Sequence, residues 1–258
     1  DRVKSVRALS RRSARSRTGL FVAEGPQSVR EALAHRPDHV RDLYVTESAA
    51  QRHTDVMALA DAAGTHVHEV TEEVLAALCD TESPQGIAAV CRVLALDLDT
   101  ALRSLPDQAI VCVLTHVRDP GNAGTVIRGA DAAGADLVIV SSASVDLYNP
   151  KVVRSTAGSL FHLPIVTGVP VDEILAALRA QGIALLAADG VGTTMLPDVD
   201  LARSHAWVMG NEAWGLDPAV REGCDAVVRV PIHGLAESLN LAMAATLCLY
   251  ESARVRHR

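Results

Sequence analysis

His116-Val117-Arg118-Asp119-Pro120-Gly121-Asn122-Ala123-Gly124-Thr125-Val126-Ile127-Arg128 lies between an apolar run near 109–114 and a helical pattern near 122–133. A strand, a glycine-containing turn and a helix in that order put polar groups at the C-terminal end of a strand. Open α/β sheets hold their ligands there. Asp119-Pro120, Gly121 and Gly124 supply the turn, and Asn122 suits the N-cap of the helix. Arg128 follows six residues later and is expected to project from the second turn. A capped helix with a solvated arginine would show the same residues, so this segment does not decide function alone. It is not a dinucleotide-binding turn, which needs G-x-G-x-x-G and an acidic residue after the second strand. Here the glycines fall at 121 and 124, and the second strand ends in Ser141-Ser142.

Outward from that stretch the alternation repeats. Apolar runs near 109–114, 137–140, 163–167, 183–188, 206–209 and 226–230 are interleaved with helical patterns near 122–133, 171–181 and 238–253. Fully apolar strands alternating with helices predict a mostly parallel sheet covered on both faces. Upstream lies a smaller α/β unit. Strands are read at 20–23, 43–45, 67–70 and 86–91, with helices from Gly25-Pro26 to about Leu33, over 47–63 and over 71–79. Pro26 occupies the first helical position, where its missing N–H costs nothing. Asp97, Asp99, Ser104, Pro106 and Asp107 read as a linker. The expected organisation is therefore a small α/β domain over 1–95, a linker over 96–107 and a larger α/β domain over 108–258.

Two further strand ends carry polar residues. In Val208-Met209-Gly210-Asn211-Glu212-Ala213-Trp214-Gly215-Leu216, Gly210 would let a ligand approach the backbone. Asn211 and Glu212 would stand at the mouth, although a polar surface loop has the same composition. In Val230-Pro231-Ile232-His233-Gly234-Leu235-Ala236-Glu237-Ser238-Leu239-Asn240-Leu241, Pro231 ends a strand, Gly234 permits a sharp turn, and a helix begins at Ser238. That helix is apolar nearly all round through Leu249, so it must be buried in its own domain or against a partner subunit.

The chain has 258 residues, 49% hydrophobic but only 3% aromatic, so its core must be built of Ala, Val and Leu. No apolar run approaches the roughly 18 residues of a membrane span, and no signal peptide is visible. The five cysteines lack metal-ligand spacing and read as free thiols of a cytoplasmic protein. The net charge of −7 is unevenly spread. Arg2, Lys4, Arg7, Arg11, Arg12, Arg15 and Arg17 face only Asp1 within the first 17 residues, and Arg254, Arg256 and Arg258 close the chain. Binding to phosphates depends on local charge, so Arg7, Arg11, Arg12, Arg15 and Arg17 are candidate RNA contacts. A solvated tail would look the same.

Taken together and in order, the three segments resemble the SpoU (TrmH-like) family of RNA ribose 2′-O-methyltransferases, of the SPOUT class, over about residues 106–258. Residues 1–95 resemble the small α/β substrate-binding domain that often precedes the catalytic domain in ribosomal RNA members, the thiostrepton-resistance type among them. The resemblance implies an α/β domain with a C-terminal trefoil knot, a homodimer, and S-adenosyl-L-methionine as cofactor. The cofactor would lie near Ala187, Ala188, Gly210, Asn211, Val230, Ile232, Ser238 and Leu239. Asn122 and Arg128 match the first family motif, Gly210 and Glu212 the second, Ser238 and Asn240 the third. Ala123 departs from the larger apolar residue usual after the first-motif asparagine.

Such a reaction passes a methyl group in line from a sulfonium to a ribose hydroxyl. It requires a bound donor, an aligned hydroxyl and a destination for the proton, and it requires no metal. An arginine is effectively always protonated. Arg128 is therefore expected to clamp phosphate and stabilise the alkoxide, with the RNA phosphate or Glu212 taking the proton and with Ser238 and Asn240 orienting the reactants. Two other readings stay open, a transfer-RNA methyltransferase and a non-catalytic RNA-binding assembly or resistance factor. The latter should have lost motif residues, yet Asn122, Arg128, Gly210, Glu212, Ser238 and Asn240 all stand.

Overall fold

In a computed structural model of the chain, which describes residues 2–257, the basic N-terminus is folded. Asp1 and Arg258, counted above among the terminal charges, lie outside the described residues. Helices α1 (Arg2–Arg7) and α2 (Arg12–Thr18) send Val6, Leu9 and Ala14 into a core shared with Val22, Tyr44, Leu75 and Val90. The chain then runs through β1 (Leu20–Glu24), α3 (Pro26–His35), β2 (Val40–Val45), α4 (Glu47–Arg52), α5 (Thr54–Ala62), β3 (His66–Glu69), α6 (Glu72–Leu78) and β4 (Ile87–Arg92). The sheet order is β1-β4-β2-β3, with β4 antiparallel to β1 and β2, and β2 parallel to β3. Pro26 starts α3 as expected. Thr46 and Thr71 cap α4 and α6 by accepting from Ala49 N and Val74 N, each just ahead of an acidic first turn. The single helix expected over 47–63 is broken at His53.

Next come α7 (Leu98–Arg103), β5 (Ile110–Leu114), α8 (Pro120–Ala132), β6 (Leu137–Ser141), α9 (Pro150–Ser155), β7 (Ile165–Val169), α10 (Val171–Ala180), β8 (Ala184–Ala188), β9 (Thr194–Met195), β10 (His205–Met209), α11 (Pro218–Glu222), β11 (Ala226–Arg229) and α12 (Leu241–Arg256). The described residues form two compact units. The first runs through Leu94 and also takes Asp146–His162; the second comprises Ala95–Val145 and the chain from Leu163 onward. Helix α9 thus counts with the first unit, where Tyr148 and Phe161 pack on Phe21 at ring-centroid distances of 4.8 and 6.2 Å. The stretch read as a linker carries α7, because Asp97 accepts from Thr100 N at 2.8 Å and starts a helical turn.

The second unit is built on a seven-stranded sheet in the order β7-β6-β5-β10-β8-β11-β9, parallel throughout. Met209 pairs with Leu114 on one side and Ala188 on the other, so β5, β10 and β8 end at the same level. Side chains alternate across β10: Ala206 and Val208 join Ile174, Leu175 and Leu178 of α10, whereas His205 and Trp207 meet Ser252 of α12. On that face α12 crosses α8 closely, and a Cβ at Gly129 would come within 2.7 Å of Thr246 Oγ1. The cysteines are free, and burial pushes the Cys91, Cys112 and Cys248 thiols up to about 12. Among the described residues no helix is long and apolar enough to cross a membrane.

Candidate active site

The first polar segment leaves β5 through Thr115, whose Oγ1 donates to Met209 O at 2.8 Å and so ties it to the end of β10. Asp119, not Asn122, caps α8. Its carboxylate accepts from Asn122 N at 2.7 Å, and Pro120 occupies the first helical position. Asn122 sits in the first turn, and its side chain is left to work elsewhere. Its Oδ1 accepts from Asn240 Nδ2 at 2.9 Å, and its Nδ2 makes a long contact of 3.5 Å with Glu212 Oε1. Asn240 in turn is held by α12, whose Ala242 N and Met243 N donate to its Oδ1. This cap fixes the start of α12 at Leu241, three residues later than the helix expected from Ser238.

Glu212 takes the backbone N–H of Arg118 at 3.1 Å and of Asp119 at 3.0 Å, one on each carboxylate oxygen. It therefore clamps the first segment against the second. Asn211 is 5% exposed and closes a tight loop with Gly215 through reciprocal backbone bonds of 2.8 and 2.9 Å. Its side chain donates to His116 O and accepts from Ala213 N. At Gly210 a Cβ would lie 2.3 Å from the Gly215 carbonyl carbon. The glycine is thus required by its own loop as well as standing at the cavity.

Beside these groups opens a cavity of about 730 Å³, within the size range of small-molecule sites. Seven of the eight expected cofactor residues line it: Ala188, Gly210, Asn211, Val230, Ile232, Ser238 and Leu239. Ala187 does not, because alternation along β8 turns it into the core, fully buried. Asp189, which the sequence reading passed over, lines the cavity one residue beyond β8 and pairs with Arg221 at 3.4 Å. Its position at a strand end was the available signal. Most of the lining residues are glycine or apolar, with Asp189, Asn211, Glu212 and Arg229 among the polar ones.

Arg128 is exposed on α8 and makes no hydrogen bond or ion pair among the described residues. Six helical positions carry it roughly 9 Å along the axis and about 120° around from Asn122, so the chain does not bring it into the Asn122–Glu212–Asn240 cluster. Ser238 is exposed in the loop before α12. In the first unit Arg7, Arg11, Arg12 and Arg17 are exposed on α1, α2 and the turn between them. Arg15 is not: it is 4% exposed and donates to Leu9 O, Ser10 O and the Asp146 carboxylate. Its guanidinium holds the turn between α1 and α2, which removes it from the phosphate contacts expected of it.

The SpoU rRNA Methylase family model matches residues 109–250, and the MRM3-like substrate binding domain matches residues 1–89. The 23S rRNA (guanosine(2553)-2′-O)-methyltransferase RlmP of Bacillus subtilis is 35% identical over 253 residues, 97% of this chain and 95% of its own length. Among solved structures, the SpoU methyltransferase AviRb from Streptomyces viridochromogenes in complex with the cofactor AdoMet superimposes with a TM-score of 0.87 at 34% identity, covering 99% of this chain and 98% of that one. The AdoMet-bound rRNA methyltransferase from Sinorhizobium meliloti gives 0.85 at 31% identity, with 98% and 94% covered.

Proposed function

The chain belongs to the SpoU rRNA methylase family, and from that premise we propose that it methylates a ribose 2′-hydroxyl of ribosomal RNA with S-adenosylmethionine as donor. One observation carries the reading. Asn122, Glu212 and Asn240, drawn from three separate segments, are hydrogen-bonded into one cluster beside the cavity. When bound there, S-adenosylmethionine supplies an electrophilic methyl group on a sulfonium. The cavity fits such a ligand in volume and in its lining by Gly210, Val230, Ile232 and Leu239. Glu212 acts as a clamp on the Arg118–Asp119 backbone, and both its oxygens are engaged in that task. The hydroxyl proton then passes to the RNA phosphate. Arg128, exposed and permanently charged, holds that phosphate and stabilises the developing alkoxide. Ser238, in the loop just before the cap at Asn240, orients the acceptor.

The ribosomal substrate is supported by the names of the relatives and by the separate N-terminal unit, with Arg7, Arg11, Arg12 and Arg17 as phosphate contacts. A homodimer completes the site in this reading. Met243, Leu247 and Tyr250 are 58%, 46% and 50% exposed on one face of α12, an apolar surface that a second copy would cover. The trefoil knot that the family resemblance implies belongs to the same proposal. A cytoplasmic location goes with it, supported by five cysteines that are all free thiols. The test is transfer of labelled methyl from S-adenosylmethionine to ribosomal RNA from a deletion strain, followed by primer-extension mapping. A single new 2′-O-methyl site is expected. Labelling of transfer RNA alone would overturn the substrate, and no labelling of either RNA would overturn the activity.

A further inference from the structure

Far from the catalytic segments in sequence, α3 presents Glu31 and His35 one turn apart on the same face. His162, which follows the short helical turn Ser159–Phe161, comes to meet them. His162 Nε2 lies 2.9 Å and His35 Nε2 lies 3.3 Å from the same carboxylate oxygen, Glu31 Oε2. The three donor atoms all fall within 4.8 Å of one another. The two imidazoles meet edge to face, with centroids 4.5 Å apart and planes at 70°, so both rings direct nitrogen toward the carboxylate. The backbone makes room for this arrangement. Gly158 has φ +100°, and a Cβ there would stand 2.5 Å from Glu31 Cγ. Only a glycine lets the Glu31 stem pass.

We propose that Glu31, His35 and His162 form a binding site for a divalent transition-metal ion of the zinc class. Tetrahedral coordination at metal–ligand distances of ~2.0–2.2 Å spaces its donors by roughly 3.3 Å. The His35 gap of 3.3 Å matches that value, the His162 gap of 2.9 Å falls short of it, and side-chain rotations would bring the three donors into register. Two imidazoles with one carboxylate favour Zn²⁺, Co²⁺, Ni²⁺ or Cu²⁺ over Mg²⁺ and Ca²⁺, which prefer all-oxygen sets. The side chains are 25–51% exposed, which leaves an open face for water as the fourth ligand. Because the site joins α3 to the Asp146–His162 segment, all within the first unit, the ion would staple that segment in place. Sequence reading could not find it, since Glu31 and His35 share one helix turn but His162 lies far along the chain.

The test uses the untagged full-length chain, stripped with a chelator and titrated at pH 7.5 with Co²⁺ and then Zn²⁺. The expected result is one equivalent of Co²⁺ per chain with the visible bands of a four-coordinate ion, displaced by Zn²⁺. Removing a ligand should cost more than the roughly 10–100-fold typical of losing an outer-shell partner. His35→Ala, at a half-exposed helix position that does not threaten the fold, is the primary variant, and Glu31→Gln and His162→Ala follow, each checked by circular dichroism. His66→Ala/His68→Ala, which alters a separate histidine pair, should leave uptake unchanged. The absence of stoichiometric uptake by the unaltered chain, or uptake that survives His35→Ala at full affinity, would overturn the proposal. The triad would then be a hydrogen-bonded ion pair only.

Discussion

At Glu212 both carboxylate oxygens accept backbone N–H groups, from Arg118 and Asp119. A glutamine there keeps one acceptor and turns an NH₂ toward the other donor. Glu212→Gln is therefore expected to loosen the Arg118–Asp119 backbone and lower kcat on the order of 10²-fold, the cost of misplacing a reacting group by about 1 Å. The pH profile of kcat separates this from a proton-accepting role. A clamp leaves the shape of the profile unchanged in Glu212→Gln, whereas loss of a base removes its acidic limb. Arg128 has the opposite character, exposed and without partners among the described residues. Arg128→Ala should reduce turnover on the order of 10²–10³-fold while donor affinity measured by calorimetry stays near that of the unaltered chain. If Arg128→Lys retains most activity, the planar bidentate contact is not what matters.

At the scale of elements, α1 and α2 carry charge on one side and core on the other. Deleting residues 1–17 would remove Val6, Leu9 and Ala14 from the first unit's core, so deletion cannot test RNA binding cleanly. Replacing Arg7, Arg11, Arg12 and Arg17 together by glutamine keeps the helices and the Arg15–Asp146 pair. The slope of log RNA affinity against log salt should become shallower by up to about 0.7–0.9 per lost phosphate contact, with donor binding unchanged. Identical slopes would remove these arginines from RNA recognition. Helix α12 is anchored differently. The Nδ1–H of His205 donates to Arg203 O, so the neutral ring offers Nε2 to the Ser252 hydroxyl, whose oxygen accepts from Trp207 Nε1. Ser252→Ala strands two buried polar atoms and should cost about 1–3 kcal/mol in urea unfolding. Burial holds the His205 imidazole below its ordinary value. The unfolded chain then binds the extra proton first, so this contribution to stability is complete above about pH 6.5 and is lost as the pH falls below it. Unfolding midpoints between pH 7.5 and 5 measure that loss, and His205→Asn should flatten it.

At the scale of the whole molecule, the exposed Met243, Leu247 and Tyr250 face is where a second copy is expected. Leu247→Glu/Tyr250→Glu places two charges on that face without touching the buried side of α12. Sedimentation should show a dimer for the unaltered chain and a monomer with reduced methyl transfer for the variant; a concentration-independent monomer in both would exclude the dimer. If Arg128 serves the partner's donor site, mixing Arg128→Ala with Glu212→Gln chains should restore part of the activity. The intact chain is the right material for these measurements. A fragment begun near residue 106 would retain Val152, Val153, Leu160 and Phe161, all buried within the first unit, and would expose them.

Local pattern was enough to reveal the alternation of strand and helix, the mostly parallel sheet of the larger unit, and the three polar segments with their chemistry. Each is written within about a dozen consecutive residues, where side-chain period, turn chemistry and capping act. The seven lining residues from Ala188 to Leu239 followed from the family resemblance, which those same segments carry. Only the tertiary structure decided that Asp119 takes the cap and frees Asn122, that Glu212 is spent on two backbone amides, that Arg15 turns inward to Asp146, and that Asp146–His162 folds with the first unit. It alone brought Glu31 and His35 to His162. Each of these outcomes depends on a distance between groups brought together by folding or on competition between neighbours for one donor. No periodicity along the chain encodes such a distance; it is set when the cores close and buried polar groups must find partners.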